Sequence, residues 1–227
     1  MPYKLSPSSL NLYKECPRCF YKYVNEGKKR PSGPFPSLPS GMDLAFKSYF
    51  DSFRKDGKLP PELAELKNVH LFDLEHLLKK WRNGHSGLNF KDKAGNELRG
   101  SVDEVLCTNE GDLIVLDFKT RGSKLKEDTA EHYRLQLDVY NFILRRNGFT
   151  TEDYSVLLFF YPRAFKEDGT VIFNKQLVKM SVNVNHAETM FNNAIKLLQG
   201  KKPALNYDCS FCKANIKEVL ECVGNCS

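Results

Sequence analysis

Apolar residues recur along this chain with two different periods, and the change of period marks out its elements. Ser6 followed by Pro7 places a helix start, because proline fits the first helical position, and Leu10 and Tyr13 carry an amphipathic helix up to Cys16. The segment 31–41 is rich in Pro, Ser and Gly and predicts an extended connection. Leu44, Phe46, Tyr49, Phe50 and Phe53 then fall at helical spacing, which predicts a helix over 42–53 that stops at Asp56-Gly57. A further helix is predicted over 71–81.

Beyond residue 97 the period shortens. Segments 98–108 and 113–120 read as strands, joined across Asn109-Glu110-Gly111-Asp112, a hairpin turn signal. Asp128 or Thr129 can cap a long helix that runs to Arg146 and is closed by Asn147-Gly148. His132, Gln136 and Tyr140 recur on it every four residues and share a face. The continuous apolar run 154–161 predicts a central buried strand, 170–182 predicts another, and 185–198 predicts a last amphipathic helix. Helices, hairpin, helix, strands and helix in that order predict an α/β fold, with a mixed central β-sheet flanked by helices. The chain then reads as an N-terminal helical region over 1–95, a core over 96–200 and a cysteine-bearing tail over 201–227.

The second predicted strand ends in Asp117-x-Lys119, and successive strand side chains alternate faces, so this acid and this amine point the same way. Charged groups on a buried strand are costly to desolvate, and a metal or an anionic substrate can complete them. A three-residue loop centred on Glu110 would set Asp103 directly opposite Asp117. Opposed residues carry Cβ atoms about 4.5–5.5 Å apart, within reach of one hard cation at about 2.0–2.1 Å per bond. A two-residue turn at Glu110-Gly111 would instead put the two acids on different faces. An ordinary charged surface hairpin is the competing reading.

The formal net charge is +6, and 41% of the 227 residues are hydrophobic, enough for a substantial core and compatible with an anionic partner. The excess is clustered: Lys22, Lys28, Lys29 and Arg30; Lys79, Lys80 and Arg82 beside Trp81; and Lys124, Lys126, Arg134, Arg145 and Arg146. Basic residues interleaved with Phe20, Tyr21 and Tyr23 suit a single-stranded nucleic acid, whose backbone attracts cations and whose bases stack on rings. A solvated basic surface with half-buried aromatics is the alternative. No apolar run resembles a signal peptide or reaches membrane-spanning length, so a cytoplasmic protein without membrane contact is expected.

Seven cysteines in such a chain point to metal or redox chemistry more than to a disulfide framework. Cys16-Pro-Arg-Cys19 and Cys209-Ser-Phe-Cys212 are two C-x2-C knuckles, and together they make a four-sulfur site that staples the ends of the chain. Four thiolates suit zinc or an iron–sulfur cluster, and four buried, reduced thiols are the simpler alternative. Cys222 or Cys226 could replace Cys19 as a ligand. Cys107 reads as a small core residue. His70, His76, His85 and His186 have no spacing partners, Ser123 has no nucleophile elbow, and Gly95 and Gly100 make no phosphate loop, which removes triad hydrolases and P-loop enzymes.

Asp103, Asp117-x-Lys119 and Gln136-x3-Tyr140, with the start Leu5-Ser-Pro-Ser-Ser-Leu10 leading into Cys16-Pro-Arg, resemble the PD-(D/E)XK nuclease superfamily in its RecB-like branch, which includes the CRISPR adaptation nucleases and AddB-type nuclease domains. The resemblance implies a restriction-endonuclease-like core and a metal-dependent phosphodiesterase acting on DNA, single-stranded or at ends, with a helicase or other DNA-processing protein as partner. It implies that Asp103 and Asp117, with the Phe118 carbonyl, hold Mg2+ or Mn2+. Lys119 would orient water and steady charge on the phosphate, with Gln136 and Tyr140 positioning it. The branch also carries a 4Fe-4S cluster on one N-terminal and three C-terminal cysteines, whereas two plus two fits this chain at least as well and keeps Zn2+ open.

A second departure lies ahead of the core. The branch places a histidine or glutamate four residues after a glycine; if that glycine is Gly41, the position is Ala45, and Asp43 is the nearest acid able to serve as a further metal ligand. Two other classes therefore stay in view: a nucleic-acid-binding module that keeps the fold with little or no catalysis, and a structural subunit whose cysteine site only holds the fold.

Overall fold

The structure is a computed structural model and describes residues 2–31, 33, 37–84 and 87–213. The chain divides into two compact units, one made of Met1–Pro34, Lys91–Leu98 and Glu188–Ser227, the other of Phe35–Phe90 and Arg99–Ala187.

After a short strand β1 (Lys4–Leu5), helix α1 (Pro7–Glu15) starts at the predicted Ser6-Pro7. Ser6 and Ser9 cap each other, Ser9 N donating to Ser6 Oγ and Ser6 N donating to Ser9 Oγ at 2.7 Å. Cys16 ends α1 and caps α2 (Pro17–Glu26), which stops at Gly27 in the left-handed conformation with φ 67°.

Helix α3 (Ser37–Lys55) begins inside the segment whose composition predicts an extended connection. Pro39 sits in its first turn, where a backbone N–H has no helical partner to lose, so proline there does not bar a helix. The predicted helix over 71–81 is likewise corrected. Leu71 belongs to strand β2 (Val69–Leu71), and helix α4 (Glu75–Arg82) starts only afterwards. Pairing with a neighbouring strand decides this segment, and three residues are too few to show a strand period.

Strand β3 (Leu88–Lys91) is followed by the predicted strand 98–108, which is broken in two: β4 (Glu97–Gly100) and β5 (Glu104–Thr108). The chain leaves the ladder between them, where Val102 N donates to the Trp81 carbonyl at 3.1 Å. Strand β6 (Leu113–Thr120) then pairs antiparallel with β5 in the register of a three-residue loop, with Glu104 opposite Leu116 and Cys107 opposite Leu113. Gly111 closes that loop at φ 99°, and Thr108 N donates to the Asp112 carbonyl at 2.8 Å.

The helix expected from residue 128 starts later. A 3-10 turn covers Thr129–Tyr133, and α5 proper is Arg134–Arg146. His132 therefore lies exposed on the turn, and only Gln136 and Tyr140 keep the four-residue relation on one helix. Strands β7 (Tyr154–Phe165) and β8 (Val171–Ser181) and helix α6 (Val184–Gln199) complete the chain close to their predicted positions.

The larger sheet has the order β2-β5-β6-β7-β8, and the smaller one β1-β4-β3. In the larger sheet β6 and β7 are parallel, joined through α5, and the other pairs are antiparallel. The centre is thus β6, with β7 one place outward. The fold is α/β, two mixed sheets flanked by helices. Phe46 and Phe50 of α3 pack on the sheet, Phe46 stacked at 4.1 Å on Phe160 and Phe50 edge-on at 4.7 Å to Phe118. Each such ring contributes roughly 1.5–3 kcal/mol by leaving water.

A buried ion network fastens the start of β5. Glu104, fully buried, receives Arg54 at 2.6 Å and Arg82 at 2.8 Å, and Asp51 meets both guanidiniums. Arg82 is therefore an internal brace and no part of a free basic surface. Its neighbour Trp81 is buried and stacks on Phe72 at 5.2 Å, so it offers no face to a base. Among the described residues no helix is long and apolar enough to cross a membrane.

Candidate active site and cysteine centre

β6 carries Asp117 and Lys119 on one face, the acid 1% exposed and the amine partly open. The Lys119 ammonium contacts Asp117 Oδ2 and lies 4.6 Å over the Tyr133 ring. From the first turn of α5, Gln136 Nε2 donates to Asp117 Oδ1 at 2.7 Å and to the Tyr140 hydroxyl at 2.9 Å. Gln136 Oε1 accepts from Lys119 Nζ at 3.5 Å. Tyr140 reaches this place because residue 100 is glycine: a Cβ there would stand 2.5 Å from Tyr140 Cε1.

Asp103 lies one residue before β5, just past the last ladder pair Glu104–Leu116, where the same register carried one step further meets Asp117. The break before β5 turns it inward, so that its Oδ2 accepts the Phe118 N–H at 3.0 Å. Its Oδ1 is 3.1 Å from Lys47 Nζ, and the same ammonium is 2.7 Å from Asp43 Oδ2. Asp43 and Lys47 share a face of α3 as i and i+4, whereas Ala45 is exposed. Phe118 sends its ring into the core.

Asp43, Asp103, Asp117, Lys119, Gln136 and Tyr140 thus form one connected group beside an open cleft bordered by Ser40, Asp43, Lys119 and Thr120. Sequence reasoning passed over Lys47 and Tyr133. Lys47 had a signal, its four-residue spacing from Asp43 on a predicted helix; Tyr133 had none.

Burial raises the Asp117 carboxyl to about 7, the Asp103 charge adds to this, and Lys119 opposes it. Burial and Asp103 likewise raise Asp43 against the pull of Lys47. Burial and the charges of Asp117 and Asp103 hold the Tyr140 phenol well above its ordinary range, so it stays a neutral hydroxyl. Asp117 Oδ2 is buried and in contact with the Lys119 ammonium. Adjoining carboxylates with such an oxygen are a donor set suited to a hard divalent cation.

The cysteine centre lies in the other unit. Cys16 and Cys19, at the α1–α2 junction, meet Cys209 and Cys212 of the tail, all four buried. Sγ–Sγ distances are 3.7 Å for Cys16–Cys212, 3.7 Å for Cys19–Cys209 and 3.8 Å for Cys19–Cys212, and all four sulfurs lie within 4.8 Å of one another. The cluster is positioned for a metal, and it joins N-terminal and C-terminal segments as the two knuckles predicted. Arg30 Nη2 stands 3.6 Å from Cys209 Sγ, its guanidinium 4.6 Å over the Phe211 ring and its Nη1 2.6 Å from Glu15. Burial pushes the Cys19 thiol up to about 12, while at Cys209 N–H groups and neighbouring thiols overcome burial and bring it down to about 7. Cys107 is half-buried on β5. Cys222 and Cys226, and His85, lie outside the described residues.

A family model for the PD-(D/E)XK nuclease superfamily matches residues 4–216, and the chain belongs to that superfamily. Its fold is accordingly a nuclease fold, of a class that uses divalent metals and acts on nucleic acid. No curated protein matches the chain. Among solved structures it is similar to one titled "Crystal structure of SSO0001", at 15% identity and a TM-score of 0.43, over 94% of this chain and 84% of that one.

Proposed function

We propose that this chain is a Mg2+- or Mn2+-dependent deoxyribonuclease that hydrolyses phosphodiester bonds, in single strands or at ends. The observation that carries the reading is the joining of Asp117 and Lys119 by Gln136, with Asp103 alongside, in a chain of the nuclease superfamily. Asp103 and Asp117, with the Phe118 carbonyl, would hold the ion, which when bound polarises the phosphate and lowers the pKa of water. Lys119, held between Asp117 and Gln136 and over Tyr133, would steady the charge that develops on the phosphate. Tyr140 fixes the Gln136 carboxamide. Exposed Lys79, Lys80, Lys124 and Lys126 are available to the nucleic-acid backbone.

The cysteine centre in this reading is a structural zinc site. A Zn–S bond of about 2.3 Å makes the edge of a sulfur tetrahedron about 3.8 Å, and the three sulfur separations of 3.7–3.8 Å match it. A 4Fe-4S cluster puts each thiolate on a different iron and spreads the sulfurs to roughly 6 Å, wider than any pair here. Arg30 offsets part of the negative charge of a four-thiolate zinc site. A helicase or other DNA-processing partner rests on the resemblance alone.

One observation favours a nucleic-acid-binding module of low activity instead: both Asp103 oxygens are engaged, by Lys47 and by the Phe118 N–H. Incubation of labelled single-stranded DNA with the protein and Mn2+ separates the two. Cleavage that is lost in Asp117→Ala and Lys119→Ala supports the enzyme; no cleavage across metals and substrates supports the binding module.

A further inference from the structure

We propose that the Lys47 ammonium serves as a built-in cation at the carboxylate group, so that the chain takes one divalent ion and not two. The inference rests on the metal-dependent reading above and deepens it. Lys47 leaves α3 on the face that meets the sheet and bridges two acids, 2.7 Å from Asp43 Oδ2 and 3.1 Å from Asp103 Oδ1. That is the position of a shared cation between two carboxylates. The ammonium is held there by the protein, its side chain 19% exposed, so it does not exchange with solvent ions.

Charge balance points the same way. Asp43, Asp103 and Asp117 face Lys47 and Lys119, which leaves one carboxylate charge without an ammonium partner. A single divalent ion turns this into one excess positive charge, the complement of a phosphodiester that carries one negative charge. A second divalent ion would have to share Asp43 and Asp103 with an ammonium at van der Waals distance, and like charges so close repel strongly in a half-buried site. Asp43 then acts as a positioning residue that holds Lys47, and the divalent ion falls to Asp103 and Asp117. The exposed Ala45 fits this arrangement, since that position sends no ligand toward the carboxylates.

The test is Mn2+ stoichiometry, read by electron paramagnetic resonance and by calorimetry on the full chain with its cysteine site filled. Wild type is expected to bind one Mn2+ and give a mononuclear spectrum. Lys47→Met frees Asp43 and Asp103 Oδ1 and is expected to take up a second ion, seen as an exchange-coupled dinuclear spectrum, while Lys47→Arg stays at one. Should Lys47→Met fail to fold, Asp43→Asn gives the second measure: it keeps the single ion with affinity changed less than about tenfold, whereas Asp103→Asn loses it. Two coupled ions in wild type, or an unchanged single ion in folded Lys47→Met, overturn the inference and leave the metal-dependent reading standing. No bound Mn2+ in wild type overturns both.

Discussion

Gln136 joins the acid and the amine of the strand end through one side chain, its Nε2 2.7 Å from Asp117 Oδ1 and its Oε1 3.5 Å from Lys119 Nζ. A carboxamide has both a donor and an acceptor end, so it can hold a carboxylate and an ammonium in fixed relation where a carboxylate could not. Gln136→Ala should lower cleavage on the order of 10–100-fold, the usual cost of losing a partner that orients a metal-site ligand. Gln136→Glu should do at least as much harm, because it sets a third carboxylate against Asp117. Single-turnover rates at saturating Mn2+ check both.

Tyr140 is seated against Gly100 with no room for a methyl group. Gly100→Ala should destabilise by about 1–3 kcal/mol through overpacking, a fall of several degrees in Tm. It should also reduce cleavage, as the displaced phenol releases Gln136. Adding Tyr140→Phe to this background should change little more, since the hydroxyl contact is already lost.

Glu104 is the buried hub between Arg54 and Arg82. Glu104→Ala leaves Arg54 and Arg82 in a largely buried place with Asp51 as the one carboxylate they still share, and should cost up to about 3–5 kcal/mol, measured by urea unfolding. The double variant Arg54→Met with Glu104→Leu should recover part of that loss, because an apolar pair of similar volume avoids the desolvation penalty.

The cysteine centre should contain one zinc per chain and give colourless protein. A strong chelator should lower Tm by many degrees, since a metal bound to the folded state contributes directly to folding. Cobalt exchange should produce the intense visible bands of a tetrahedral four-thiolate site. Cys212→Ser should abolish those bands, and Arg30→Met should leave them while weakening retention of the metal.

Much of this architecture was already present in one dimension. The α1 cap at Ser6, the two C-x2-C knuckles and the placing of Asp117 and Lys119 on one strand face are local facts of spacing and turn chemistry, and the structure has each of them; of the two hairpin registers open at Asn109-Glu110-Gly111, it has that of the three-residue loop. The helix starts were less legible. Pro39 and Gly41 disguised the beginning of α3, and helical periodicity disguised β2, because a first turn tolerates proline and a three-residue strand borrows its stability from its neighbour.

What sequence spacing by itself determined is which residue types share a strand face or a knuckle, since alternation and turn geometry follow from covalent structure. Only the tertiary fold decided which charges face each other across elements. The break before Asp103, the reach of Lys47 from α3 to it, and the capture of Arg82 by Glu104 all depend on how a helix is laid on a sheet. That placement is set by packing of Phe46 and Phe50 on the sheet surface, a property of summed burial that no single spacing records.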